Sequence, residues 1–320
     1  MINNDQPTRA SDGVAVYPQD KAAAAIPFNK AVFIKTFAHH TAKVNDVRLH
    51  YVIGGKGEPL VLLHGFPTTW YEWRHVMPML AERYTVIVPD MRGLGDSSKP
   101  LTGYDARTVA DDIYQLVGKL GFKRIFLVGH DIGAPVAYAY AAAHPADVRR
   151  LAVLELVLAG AGLEELISKA SPALWHFSFQ ATRDLPEALV EGKERLYLSV
   201  FLRPFTYNPA AITEDAMDEY VRTYSAPGGM RAGFEYYRAI PQVAKQTKEN
   251  MKTKLRIPVL ALAGEHSLGN PALGDPARTS IQLLAENVRY GAIENCGHWI
   301  PEERPTYLVQ QLLNFFGEEK

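Results

Sequence analysis

A single cysteine, Cys296, stands in a chain of 320 residues. No intramolecular disulfide can brace the fold, and one thiol does not fix the redox compartment. No apolar run reaches the roughly 20 residues of a membrane-spanning helix. None near the start is long enough for a signal-peptide core, so localisation is left open. An excess of one charge is missing too. The formal net charge of -1 speaks against nucleic acid or an anionic membrane as the main partner. Histidine, cysteine and acidic residues never recur at metal-ligand spacing, so neither a metal nor another cofactor is expected. What is present is ordinary globular material, 47% hydrophobic and 22% charged, enough for one large α/β domain carrying an insertion.

Residues 1–30 are small and polar and read as an N-terminal extension. Such a segment is either a disordered leader or, if ordered, packs on an adjacent subunit, which makes a homo-oligomer the expectation. From Val32 the pattern becomes regular. Val32–Phe37 and Val47–Ile53 alternate as half-buried antiparallel strands do, and Asn45-Asp46 supplies a turn. Leu60–Leu63, Thr85–Val88, Ile125–Val128 and Leu151–Leu154 are buried strands. Trp70–Arg83 and Asp105–Leu120 read as helices between them, which implies a mostly parallel, doubly wound sheet. Residues 160–245 then lack a convincing strand. They are helical in pattern, rich in aromatics and broken by prolines such as Pro172 and Pro204. Ile257–Ala263 and Val288–Ile293 resume the sheet, and Glu302–Glu318 closes it as a helix. The organisation read here is a core of 31–159 and 246–320, with a helical cap of 160–245 inserted after the sixth strand.

The stretch Ile125–Ala134 carries the chemistry. A buried strand runs into Gly129-His-Asp-Ile-Gly133 and then into an alanine-rich helix. That is the pattern of a nucleophile elbow, a strained strand-to-helix turn that exposes one side chain. The glycines are needed where the turn closes. The central residue is Asp131, where serine is usual. A carboxylate attacking an sp3 carbon displaces an alkoxide or halide and leaves an ester that water can open. Serine would leave an ether, a dead end. Asp131 thus points to epoxides or alkyl halides. His298 lies in a loop before the last helix and is the candidate base. Its orienting carboxylate is Glu155, directly after a buried strand, or Glu265, with Asp275 a third choice. The amides of Ile132 and Phe66 are the candidate oxyanion donors, since Pro67 has no N–H to give.

Several separated motifs resemble the α/β-hydrolases, and the epoxide hydrolases in particular. His64-Gly-Phe-Pro67 is similar to that family's HGxP loop, Gly93-Leu-Gly-Asp-Ser97 to its GxGxS loop, and Asn295-Cys-Gly-His-Trp299 to the loop of its catalytic histidine. Thr69-Trp-Tyr-Glu-Trp73, Trp175-His-Phe-Ser-Phe179 and Phe234-Glu-Tyr-Tyr-Arg238 resemble the Cif subfamily, named after a factor that inhibits the cystic-fibrosis transmembrane conductance regulator. The resemblance spans residues 31–318. It implies an α/β-hydrolase fold with no cofactor and an epoxide as substrate, which the uncharged Ile132 and Pro135 make a neutral, largely apolar one of small to medium size. It also implies Glu155 as the relay acid, and His176 with Tyr237 as the ring-opening pair in the cap. Trp70, Trp175, Phe177 and Phe179 are expected on the pocket wall. The alternatives are a haloacetate or haloalkane dehalogenase, which Ile132 and Pro135 disfavour by supplying neither arginine nor tryptophan, and a non-catalytic receptor on the same fold.

Overall fold

The computed structural model describes residues 28–170 and 173–317, together with the short strands Thr8–Arg9 and Ala15–Val16, which pair antiparallel with each other. The rest of the N-terminal extension, Pro172 and Glu318 lie outside the described residues. Eight strands form one sheet: β1 (Phe37–Val44), β2 (Val47–Gly55), β3 (Glu58–Leu63), β4 (Tyr84–Pro89), β5 (Ile125–His130), β6 (Val148–Leu154), β7 (Val259–Gly264) and β8 (Val288–Ile293). Their spatial order is β8-β7-β6-β5-β3-β4-β2-β1. β3 to β8 pair parallel, while β1 and β2 add an antiparallel edge.

Alternate side chains of each central strand go to opposite faces, as the pleat requires. Val61, Leu63, Ile125, Leu127, Leu151 and Val153 join the core beneath helices α1 (Ala106–Lys119) and α2 (Gly133–Ala143). Their neighbours Leu60, Leu62, Phe126, Val128, Ala152 and Leu154 pack on the other face. There they meet the turn Met77–Leu80 and the last helix. Asp105 caps α1 by accepting from the Thr108 amide at 3.2 Å, as its position before the helix predicts.

Between β6 and β7 the described residues form no strand. They fold as α3 (Leu163–Ala170), α4 (Trp175–Ala181), α5 (Leu185–Val190), α6 (Glu194–Leu202), α7 (Glu214–Tyr224), α8 (Gly229–Arg238) and α9 (Ile240–Asn250). After β7 come α10 (Pro276–Leu284) and α11 (Pro305–Gly317).

Three local expectations are corrected. Val32–Phe37 is not a strand: Asn29 caps a helical turn, Lys30–Phe33, and β1 starts only at Phe37. The alternating Val32 and Ile34 end up 56% and 60% exposed, while Phe33 stacks on Phe37 at 4.5 Å. Trp70–Arg83 splits into a 3-10 turn, Trp70–Trp73, and Met77–Leu80, because Pro78 lacks the N–H that a continuous helix would use. Pro305 likewise separates Ile300–Glu303 from α11.

Buried polar contacts dock the helical segment on the sheet. The Tyr236 hydroxyl donates to the Arg92 carbonyl at 2.8 Å, and Tyr224 to that of Thr68 at 2.9 Å. Arg74 Nη1 donates to Glu302 Oε1 at 2.7 Å, and the Tyr220 hydroxyl donates to the same oxygen at 2.6 Å. Both charged side chains are almost wholly buried. Breaking one partner of such a pair strands a charge, whereas removing both does not. Arg74→Met is therefore expected to lower unfolding stability in urea by about 3–5 kcal/mol, with most of it recovered in Arg74→Met/Glu302→Met. A single variant as stable as the parent would show that the pair carries no such weight.

Candidate active site

The loops that leave the carboxyl ends of the parallel strands converge on one place, where open α/β sheets hold their ligands. β5 ends at His130, and Asp131 follows with φ of 51°. That left-handed value is costly for a side chain other than glycine, and here it aims the carboxylate away from the sheet. The elbow closes tightly. A Cβ on Gly129 would sit 2.4 Å from the Gly133 carbonyl oxygen, and one on Gly133 2.7 Å from that of His64. Only glycine fits at either position. Asp131 Oδ1 accepts from the Phe66 amide at 2.9 Å. Ile132, the other expected donor, follows at the start of α2 and lines the same cavity.

His298 arrives after β8, its own amide held by the Phe205 carbonyl at 2.8 Å. Its Nε2 lies 3.2 Å from Asp131 Oδ2 and its Nδ1 2.9 Å from Glu155 Oε2. Glu155, directly after β6, is also at positive φ, 54°. Its other oxygen accepts from the Gly264 amide at 2.5 Å, and the Ser267 hydroxyl donates to Oε2 at 2.6 Å. Of the three carboxylates left open by the sequence, Glu155 is the one beside His298. Glu265 instead accepts from the Asn295 amide at 3.3 Å, and Asp275 from the Tyr290 hydroxyl at 2.7 Å. Ser267, in the loop after β7, thus serves the acid at the end of the neighbouring strand.

The charges shape one another. Burial opposes ionisation of Asp131, but the hydrogen bond and charge of His298 outweigh it and hold the carboxyl down at about 2. Burial disfavours the imidazolium of His298, yet its two carboxylate partners push it up to about 10. The resting pair is an imidazolium between two carboxylates. The Asp131 and His298 side chains remain 19% and 15% exposed, because both open into a cavity.

That cavity, of about 160 Å³, is mostly apolar, with Leu156, Val157, Phe201, Phe205, Ile240 and Val243 on its walls. His176, Phe177 and Tyr237 line it as well. His176 is buried, which lowers its pKa to about 4, and its Nδ1 has no hydrogen-bond partner. Burial also raises the Tyr237 phenol well above its ordinary value. Tyr236 lines the cavity too, but its hydroxyl is already given to Arg92.

Three expected wall residues are elsewhere. Trp175 and Phe179, one turn apart on α4, point away from the cavity to pack on each other and on Tyr197, and Trp175 is 41% exposed. Helical spacing decides this, since His176 and Phe177 occupy the inner face. Trp70 packs on Phe33 and His39 in the core behind the sheet, its amide bonded to Asp90 at 2.9 Å. The walls the sequence reading missed had a signal of their own: Leu156–Ala159 continues the apolar run after Glu155, and Phe201 and Phe205 are one helical turn apart.

Among the described residues one acidic–histidine group has metal-like spacing: His50, Asp90 and Asp96. Its atoms are engaged by the protein. His50 Nδ1 pairs with Asp90 Oδ2 at 2.7 Å, and Arg222 grips both Asp96 oxygens at 2.9 and 2.7 Å.

Sequence comparison matches residues 58–305 to the alpha/beta hydrolase fold family. The chain is 43% identical over 283 residues to a soluble epoxide hydrolase from Corynebacterium sp. (strain C12), covering 87% of this chain and 97% of the relative. It is 28% identical to a fluoroacetate dehalogenase from Burkholderia sp., over 89% of this chain and 95% of that one. Among solved structures it resembles the epoxide hydrolase CorEH without ligand, at 41% identity and a TM-score of 0.79, with 88% and 99% of the two chains covered. The matched span contains the elbow, the relay acid position and the His298 loop, and the chain belongs to the α/β-hydrolase family.

Proposed function

We propose that the chain hydrolyses neutral, largely apolar epoxides to vicinal diols through an ester on Asp131. The observation that carries this reading is a carboxylate at the elbow that shares one apolar cavity with a protonated phenol and an unpartnered buried histidine. The identity to a soluble epoxide hydrolase supports it.

In the first step an Asp131 oxygen bonds to a ring carbon and the carbon–oxygen bond of the epoxide breaks. The new alkoxide takes the Tyr237 proton and a hydrogen bond from His176, which is neutral at physiological pH and keeps one N–H. Alkylation removes the Asp131 charge, so His298 loses one of the two carboxylates that hold its proton and releases that proton, which restores the Tyr237 phenol. Neutral His298 can then take a proton from water as the water attacks the ester carbonyl. The oxyanion forms at the oxygen that faces the Phe66 amide, and the Ile132 amide is the second donor expected there. Collapse expels the diol oxygen. One water proton ends on that oxygen and the other stays on His298, which is again an imidazolium.

The dehalogenase reading fits less well. No lysine or arginine lines the cavity among the described residues, so a haloacid carboxylate would be buried unpaired. Self-association is part of the same proposal. Leu185 and Leu189 are one turn apart on α5, as are Leu196 and Val200 on α6, and all four are at least half exposed. No helix among the described residues is long and apolar enough to cross a membrane.

Three outcomes are expected. With an aliphatic epoxide, His298→Ala accumulates an adduct of substrate mass on Asp131, and diol formation slows by about 10²–10⁴-fold. If no adduct forms, or if a chloroalkane releases halide while no epoxide gives diol, the reading is wrong. In histidine NMR, His298 stays protonated through neutral pH in the parent. In Asp131→Asn it titrates at a lower pH, because the charge that raised its pKa is gone; an unchanged midpoint would contradict the pairing. In light scattering the parent is an oligomer, and Leu189→Glu/Leu196→Glu shifts it to a smaller species. A monomeric parent rules self-association out.

A further inference from the structure

Beneath Asp131 lies a second buried acid–histidine pair that the reaction above does not use. His130 and Glu72 are both fully buried. His130 Nδ1 faces the two carboxylate oxygens of Glu72 at 3.2 Å each, and its Nε2 lies 2.9 Å from the carbonyl oxygen of His298. A carbonyl only accepts, so Nε2 carries a proton. Nδ1 against a carboxylate carries another. The same carboxylate accepts from the Thr68 hydroxyl at 2.5 Å, and that hydroxyl lies 3.1 Å from the Gly65 carbonyl, one residue before the Phe66 donor. Glu72 therefore ties together the loop after β3, the end of β5 and the His298 loop. The rings of Trp73 and Trp299 stand edge-on to the imidazole at 6.4 and 5.8 Å, and the imidazole is wholly buried.

We propose that Glu72 and His130 form a positioning pair for hydrolysis of the Asp131 ester. Glu72 keeps His130 doubly protonated, His130 holds the backbone of His298, and Thr68 passes the same constraint to the loop that aims the Phe66 amide. Charge-assisted hydrogen bonds are roughly twice as strong as neutral ones, and in a dry site they fix geometry tightly. The groups facing His130 are Glu72, His298 and Asp131. Those acting on Glu72 from the helical segment and the His298 side are Tyr220, Tyr224 and Glu302. Glu72 raises the His130 pKa against the effect of burial, in keeping with a doubly protonated ring.

The inference rests on the covalent reading of Asp131 given above. It bears chiefly on the second step, in which His298 and the Phe66 amide both act on the ester, and less on ring opening. Rapid-quench mass spectrometry on Glu72→Gln with an aliphatic epoxide separates the two steps. Loss of the adduct is expected to slow on the order of 100-fold, the cost of misplacing a reacting group by about 1 Å. Adduct formation should change far less, and Glu72→Asp, which keeps the charge, should recover part of the rate. Adduct loss at the parent rate overturns the proposal. Equal slowing of both steps does so as well, because a merely structural role would give that. If the parent forms no adduct with any epoxide, the hydrolase reading fails, and nitrogen-15 NMR then decides the pair by itself. At neutral pH the His130 ring, assigned with His130→Gln, should be protonated on both nitrogens in the parent. A singly protonated ring overturns the proposal, and this measurement stands even if Glu72→Gln does not fold.

Discussion

The hydrogen-bonded line from Asp131 through His298 to Glu155 is the constraint around which the molecule is arranged. Its members come from three strand ends far apart in the chain, and each sits at the carboxyl end of its parallel strand or in the loop beyond it. The two carboxylates are at positive φ, so the strand ends store strain that the surrounding packing has to hold. Close backbone approach at Gly129 and Gly133 is part of that hold, and so are the hydrogen bonds from the Gly264 amide and Ser267 to Glu155. An imidazolium between two carboxylates is stable in a mostly apolar site because its charge is matched on both sides.

The helical segment after β6 supplies what the sheet cannot. It roofs the carboxylate with apolar side chains and brings His176 and Tyr237 into the same cavity. Burial then sets their states in the useful direction: the histidine is neutral and the phenol keeps its proton. Both are hydrogen-bond donors at physiological pH, which suits a leaving oxygen that remains attached to the product. The docking bonds of Tyr220, Tyr224 and Tyr236 to the core, and of the Phe205 carbonyl to the His298 amide, keep that roof in register with the loops beneath it.

Much of this was legible because strong local signals agreed. Continuous apolar runs mark the central strands, and Gly-x-Asp-x-Gly after such a run marks an elbow for steric reasons that need no partner. Failures came where a local pattern had two solutions. Val32–Phe37 alternates like a strand, yet Asn29 caps a helical turn and leaves Val32 and Ile34 in solvent. Trp175 and Phe179 belong to an aromatic cluster that reads as pocket, but their helical face turns them toward Tyr197. Pro78 and Pro305 each broke a helix that hydrophobicity alone would have continued.

The sequence by itself determined the order of the parallel strands along the chain, the elbow and the choice of carboxylate over hydroxyl at its centre, since these depend on residue type and short spacing. Only the tertiary structure decided between Glu155 and Glu265, because that choice is a matter of which strand end lies beside the His298 loop. The role of Ser267, the true cavity walls and the Glu72–His130 pair were likewise decided by the fold. Each is a contact between residues distant in the chain, and the order of the strands in the sheet brings them together.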